Sequence, residues 1–180
     1  MARNIEVKAR IAGVAALQPR AARLADAGPT ILEQDDTFFA CANGRLKLRD
    51  QSGAGAELIF YQRSDASGPK ESFYLRVPVP DPNALRQLLQ LAHGQVGRVR
   101  KRRVLFLLGR TRIHLDAVEG LGEFLELEVV LREGEPAEGG IAEAEGIMAQ
   151  LEVTPQQLIQ GAYVDQVTSA PPPATGPNGQ

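Results

Sequence analysis

Through most of its length the chain alternates apolar and polar residues with period two, the pattern of strands with one face in a core and the other in a polar environment. In residues 3–11, Ile5, Val7 and Ala9 share one face, and Asn4, Glu6, Lys8 and Arg10 the other. Residues 17–27 predict a helix, with Pro19 tolerable in its first turn and Gly28 placed to stop it. Residues 30–41 are β-prone. Asn43-Gly44 predicts a hairpin turn into 45–49, where Arg45, Lys47 and Arg49 oppose Leu46 and Leu48. Turns over 52–55 and 66–69 bound strands at 57–63 and 70–79, the second with Lys70, Ser72, Tyr74 and Arg76 in phase.

Asp81 caps a further helix, with Pro82 at its first position, that runs to about Ala92. Residues 98–128 follow as three antiparallel strands. They open on a dense cationic run, carry Arg112, His114 and Asp116 on one face, and close on Glu126 and Glu128. Residues 135–151 come near helical spacing despite Gly139-Gly140, and Thr154 predicts the cap of a last short helix over 155–163. Residues 168–180 are rich in Pro and Gly and are expected to form a disordered tail, leaving 1–167 as one domain. About eight strands in antiparallel order, with few helices, predict a β-rich α+β fold. The expected architecture is a closed antiparallel barrel with room inside for side chains and one small ligand.

Alternation alone leaves open which face lies inside. Leucines inside and charges outside would make an ordinary solvated sheet, or a barrel for an apolar ligand. Yet the charges recur in one phase in strand after strand, always opposite apolar residues. Unpaired charge in a dry interior is very costly, so an inward-facing set calls for water, metal ions and a polyanion inside the barrel.

Composition narrows the partners. The 180 residues carry a formal net charge of −2, which suits one sizeable core and lacks the basic excess of a general nucleic-acid binder. Tryptophan is absent, so base-stacking platforms are not expected. A lone cysteine, Cys41, excludes an internal disulfide and fits a reducing compartment. No run approaches the ~20 apolar residues of a membrane span, and the first residues lack the apolar stretch of a signal peptide. A cytoplasmic protein with no nucleic-acid or membrane partner is expected.

Two charged constellations carry candidate chemistry. Lys8, Arg45, Lys47, Arg49, Arg63, Lys70, Arg76, Lys101, Arg103 and Arg112 suit a polyphosphate, whose several charges must be neutralised and gripped. Glu6, Asp116, Glu126 and Glu128, with Asp36 as a further candidate, offer the oxygen ligands that Mg²⁺ or Mn²⁺ prefers. Simple pairing of Glu126 and Glu128 with lysines on neighbouring strands is the plainer alternative. His114 suits a donor to phosphate or a general base, or else a structural role. His93 falls at a helix end, and Cys41 reads as packed. No Walker-type glycine loop, GxSxG motif or zinc-ligand spacing is present.

Taken in order, NIEVK, DDTFF, GRLKLR, YQR, KESFY, the KRR run, IHLDAVEGLGEFLELE and LIQGAYVD resemble the CYTH proteins. These are the triphosphate tunnel enzymes that include class IV adenylyl cyclases and thiamine triphosphatase. The resemblance covers nearly all of the chain before its tail and is nearest the bacterial cyclase-like branch. It implies a barrel forming a triphosphate tunnel, with basic residues on the substrate and acids on a divalent metal. Glu6 and Lys8 match the second Glu and the Lys of the family's ExExK signature. Arg49, Arg63, Lys101 and Arg103 match its cations, and Asp116, Glu126 and Glu128 its acids. Asn4 stands where the first Glu belongs, a neutral amide in place of a charged ligand.

Strand phase and resemblance together assign catalysis to Lys8, Arg63, Lys101 and Arg103, and metal binding to Glu6, Asp116, Glu126 and Glu128. Substrate binding would use those four cations with Arg45, Lys47, Arg49, Lys70, Arg112 and His114. The implied activity is conversion of ATP to cyclic AMP and pyrophosphate with Mg²⁺ or Mn²⁺. Alternatives are hydrolysis of inorganic tripolyphosphate, thiamine triphosphate or a nucleoside triphosphate, or triphosphate binding without turnover. Monomer and homodimer both stay open. Because the cations repel one another, losing one, such as Arg103, is expected to spare the fold.

Overall fold

The computed structural model describes residues 2–65 and 68–169. Part of the turn expected over 66–69, and the tail from residue 170, lie outside the described residues. Within them run the strands β1 (Ala2–Arg10), β2 (Ala27–Phe39), β3 (Arg45–Gln51), β4 (Gly55–Arg63) and β5 (Lys70–Val79), then β6 (Gln95–Leu108), β7 (Thr111–Val118) and β8 (Gly122–Val130). They close an antiparallel barrel in the order β1-β5-β4-β3-β2-β6-β7-β8, and β8 returns to pair with β1. The helices are α1 (Val14–Leu24), α2 (Pro82–His93), α3 (Ala137–Gln150) and α4 (Tyr163–Ser169).

The charged faces point inward. The apolar faces point outward and make the main core between barrel and helices. Ile5, Val7, Ile113, Leu115, Leu125 and Leu127 each show 0% exposure, packed with Leu17 and Ala21 of α1 and with Ala144, Ile147 and Met148 of α3. Burying each such aliphatic side chain contributes about 1.5–3 kcal/mol. Gly140 lets α3 lie close on β1, since a Cβ there would meet Ile5 and Leu131 carbons at 2.7 Å. The Gly139-Gly140 pair, a blemish in the helical pattern, is thus a packing requirement at its second residue. On the opposite side α2 seats Leu85 and Leu89 over Leu46, Leu48 and Leu58. Asp81 caps this helix by accepting from the Ala84 N–H at 3.0 Å, as its sequence predicts.

Two helix expectations are corrected. The helix expected over 17–27 begins at Val14 and ends at Leu24. Its start is supplied by tertiary contact, with the Glu123 carboxylate of β8 accepting from the Val14 N–H. Gly28, expected to stop that helix, sits in an irregularity of β2 against β6, at φ 115°, where a Cβ would lie 2.8 Å from the Leu105 carbonyl oxygen. The helix expected over 155–163 is only a 3-10 turn, Pro155–Gln157. Pairing with β5 uses β1 only as far as Glu6, and the freed edge beyond it takes Leu158 opposite Ala9 and the Ile159 N–H on the Lys8 carbonyl at 3.0 Å. Strand-edge bonding draws the chain straight there, and α4 follows at Tyr163, running through Thr168 and Ser169 of the expected tail.

Candidate active site

Strand register brings the inward residues together. Lys8 lies opposite Glu126, Glu6 opposite Glu128, His114 opposite Glu126, Arg112 opposite Glu128, and Arg103 opposite Asp116. All of these but Asp116 line a cavity of about 410 Å³. Among the described residues its lining carries eight cations and five carboxylates, so the wall is net positive. One end is closed where Ala162, Tyr163 and Val164 pack with Phe38, Val99, Val118 and Phe124. The other reaches the exposed β3–β4 turn at Ala54 and Gly55.

The charges are neutralised in pairs, as burial demands. Arg103 grips Asp116 with two bonds of 2.6 Å and donates to Glu126 Oε2 at 2.5 Å. Lys8 Nζ lies 3.2 Å from Glu126 and 3.7 Å from Glu6, and stands 3.9 Å over the Tyr163 ring. Arg63 donates to Glu6 and, at 2.8 Å, to the Gly161 carbonyl. Asp36 accepts two bonds of 2.7 Å from Arg49 and one of 2.9 Å from Lys47. Arg112 donates to Glu128 Oε2 at 2.7 Å.

Titration follows from burial and neighbours. Burial and the Arg49 charge push the Lys47 ammonium down to about 8, and burial with Arg103 pushes Lys101 down to about 7. Burial alone would raise the carboxylates, but the cations outweigh it. Asp116 is held at about 2 by Arg103 and Lys101, and Glu126 well below its usual range by Lys8 and Arg103. His114 is shifted down by burial first and Arg103 second, so its imidazole is neutral at pH 7.

Of the residues singled out from the sequence, Glu6, Lys8, Lys47, Arg49, Arg63, Lys101, Arg103, Arg112, His114, Glu126 and Glu128 line this cavity, with Arg76 at its open rim. Three do not. Arg45 shares their strand phase but lies at the closed end, 2.8 Å from Asp65 and from Asp165 of α4. Lys70 is buried beside the barrel's end rather than in the cavity wall, its ammonium lowered to about 8 by burial and by Arg63 and Lys8. Asp116 has 0% exposure and both oxygens engaged, by Arg103 and by the Tyr163 hydroxyl, which donates at 3.1 Å. It orients Arg103 rather than facing the cavity. Phase puts a side chain inside a barrel, but barrel ends and a second layer of partners decide whether it reaches the centre. Tyr163 is the principal residue that strand patterning overlooks, because it comes from α4 and only the closed end explains it.

A CYTH-domain family model matches residues 2–163, so the chain belongs to the CYTH family. Its structure is similar to that of the PH1012 protein of Pyrococcus horikoshii, with a TM-score of 0.80 and 24% identity over 90% of this chain and 98% of that one. It also resembles a candidate adenylate cyclase from Vibrio parahaemolyticus, with a TM-score of 0.71 and 15% identity over 92% and 98% of the two chains. A third similar structure is a candidate adenylyl cyclase from Hippeastrum with a dominant triphosphatase activity, with a TM-score of 0.64 and 19% identity over 92% and 94%. No curated protein sequence matches the chain. Among the described residues, no helix is long and apolar enough to cross a membrane.

Proposed function

We propose that this protein is a divalent-metal-dependent enzyme acting on a triphosphate, and that its reaction is that of a class IV adenylyl cyclase, ATP to cyclic AMP and pyrophosphate. The observation that supports this best is the sorting of charge around the cavity. Three of the five lining carboxylates, Glu6, Glu126 and Glu128, come from the adjacent β1 and β8, whereas five of the eight cations, Lys47, Arg49, Arg63, Lys101 and Arg103, come from β3, β4 and β6; Lys8 and Arg112 stand among the acids, and Asp36 and Glu57 among the cations. A triphosphate with one divalent ion is a net anion, and it suits a net-positive wall with three acids gathered on adjacent strands.

The ion pairs serve as stand-ins. With substrate bound, Arg103, Lys101, Arg49 and Lys8 exchange carboxylate oxygens for phosphate oxygens, so they are not stripped of a partner on binding. Glu6, Glu126 and Glu128 would hold Mg²⁺ or Mn²⁺, which neutralises phosphate charge and stabilises the leaving group. Two buried atoms support this fit. Asn4 Oδ1 and His114 Nδ1 have no hydrogen-bond partner, and both residues line the cavity. Asp116 fixes Arg103, and Tyr163 fixes Asp116 at the closed end. In the reaction the ribose 3′-oxygen bonds to the α-phosphorus, the α–β bridging bond breaks, pyrophosphate leaves, and the hydroxyl proton is released to water. Leu32, Leu105 and Tyr74, partly exposed in the lining, give a nucleoside an apolar surface that inorganic triphosphate would not need.

The test is incubation with ATP, inorganic tripolyphosphate and thiamine triphosphate in Mg²⁺ and in Mn²⁺, with cyclic AMP, pyrophosphate and phosphate quantified separately. Equal amounts of cyclic AMP and pyrophosphate from ATP are expected. Phosphate release without cyclic AMP would replace the cyclase with a triphosphate hydrolase. Tight binding with no product would make the protein a triphosphate receptor.

A further inference from the structure

His114 is the cavity residue that phosphate binding leaves unexplained. Its ring is 4% exposed, and Nδ1 is buried with no hydrogen-bond partner. That nitrogen lies 3.7 Å from Glu126 Oε2 and 3.9 Å from Glu128 Oε1, beyond hydrogen-bond reach of either. The three side chains offer ligand atoms all within 4.8 Å of one another. Their placement is set by the backbone, since His114 faces Glu126 across the β7–β8 ladder and Glu128 is the next inward residue of β8. Arg112 occupies Glu128 Oε2 and leaves Oε1 toward the imidazole. A cation bound to oxygens alone would leave Nδ1 buried and unused.

We propose that His114 supplies a nitrogen ligand, through Nδ1, to the divalent ion held by Glu126 and Glu128, and that the site therefore favours Zn²⁺ or Co²⁺ over Mg²⁺. The inference rests on the metal-dependent reading above and adds the ligand that sets its selectivity. Mg²⁺ takes oxygen ligands, whereas imidazole raises affinity for later divalent ions in the order of their nitrogen preference. Ligand atoms around a tetrahedral Zn²⁺ stand roughly 3.3 Å apart. From 3.7 and 3.9 Å, Nδ1 needs to close on each carboxylate by about half an ångström, and no pair among the three by more than about 1.5 Å, within the reach of side-chain torsions.

The full chain lends itself to a direct test because it holds two histidines. In the metal-free protein with ¹⁵N-labelled histidine, the imidazole spectrum contains His93 and His114 alone, and His93, at the end of α2, is the internal control. Titration with Zn²⁺ is expected to shift Nδ1 of His114 and leave His93 unmoved. Calorimetric titration of His114→Gln is expected to show Zn²⁺ and Co²⁺ affinity lowered by about tenfold or more, with Mg²⁺ affinity changed by less than about threefold. Glu126→Gln should weaken all three ions. If Zn²⁺ binds, and needs Glu126, while the His114 resonance stays still, the nitrogen ligand is wrong and the metal-dependent reading stands. Equal loss of Mg²⁺ and Zn²⁺ in His114→Gln has the same meaning. If no divalent ion binds, with or without tripolyphosphate, both proposals fall. Should His114→Gln not fold, the wild-type resonance shifts decide.

Discussion

The two sides of the cavity are built differently. The acidic side, β7, β8 and β1, is backed by side chains at 0% exposure beneath two helices. The cationic strands β3 and β4, with their neighbour β5, have a smaller cover from α2, and Leu75 and Val77 of β5 are left 51% and 50% exposed on the outer surface, whereas β6, which carries Lys101 and Arg103, shares the main core through Val104 and Phe106. The contrast matches what the proposed function asks of each side. Carboxylates that hold a metal must converge within about half an ångström, which needs a wall that cannot shift. Long cationic side chains can follow a flexible phosphate chain, so their wall needs less support.

The largest expected effect concerns Arg103. Mutual repulsion of the cations suggests that losing one would spare the fold, but the structure reverses that expectation, because Arg103 is the counter-ion of Asp116 and Glu126. Arg103→Ala should therefore destabilise the protein by about 3–5 kcal/mol, as well as weaken triphosphate binding or turnover by at least ~2 kcal/mol. Urea unfolding and steady-state kinetics measure the two parts, and unchanged stability would show that water compensates those carboxylates.

Glu126→Gln should lower metal-dependent turnover by about 10²–10³-fold. Activity near wild type would remove Glu126 from the metal site. Next in size, Gly140→Val should cost about 2 kcal/mol by forcing α3 away from Ile5 and Leu131. If instead its unfolding midpoint matched wild type, the acidic side would not need its tight backing. Asn4→Glu should tighten divalent-metal binding several-fold, roughly 1 kcal/mol, by restoring an anionic oxygen beside Glu6. Unchanged affinity would put position 4 outside the site. Arg76→Ala, at the half-exposed rim, should leave stability within about 0.5 kcal/mol of wild type and raise KM a few-fold at most.

Protons distinguish the two sides as well. Lys101 and Lys47 are lowered to about 7 and 8, so binding a polyanion should draw protons onto them and weaken as pH rises through that range. Calorimetry in buffers of different ionisation enthalpy measures the uptake. Their effect on folding has the opposite sense. The unfolded chain binds more protons above the folded pKa, so stability from these lysines grows from about pH 7 toward 10.5. Asp116 and Glu128, held at about 2, contribute stability that is present above their usual range near 4 and lost as pH falls toward 2.

Period-two alternation was enough, by itself, to place most strands and to state which side chains share a face. The grouping of Lys8 with Glu6, and of Glu126 with Glu128, follows from spacing alone, as does the capped start of α2. A two-fold pattern, however, is symmetric between inside and outside. The apolar faces of β1 and β6–β8 turn outward because α1 and α3 are there to cover them, which only packing decides. Tertiary contacts also moved the start of α1, through Glu123, and straightened residues after the 3-10 turn, through the open edge of β1. They placed Tyr163 at the closed end, hid Asp116 behind Arg103, and turned Arg45 toward α4. Local spacing governs direction along a strand. Whether an inward residue meets the cavity, a partner or a plug depends on segments distant in the chain, and no local pattern records them.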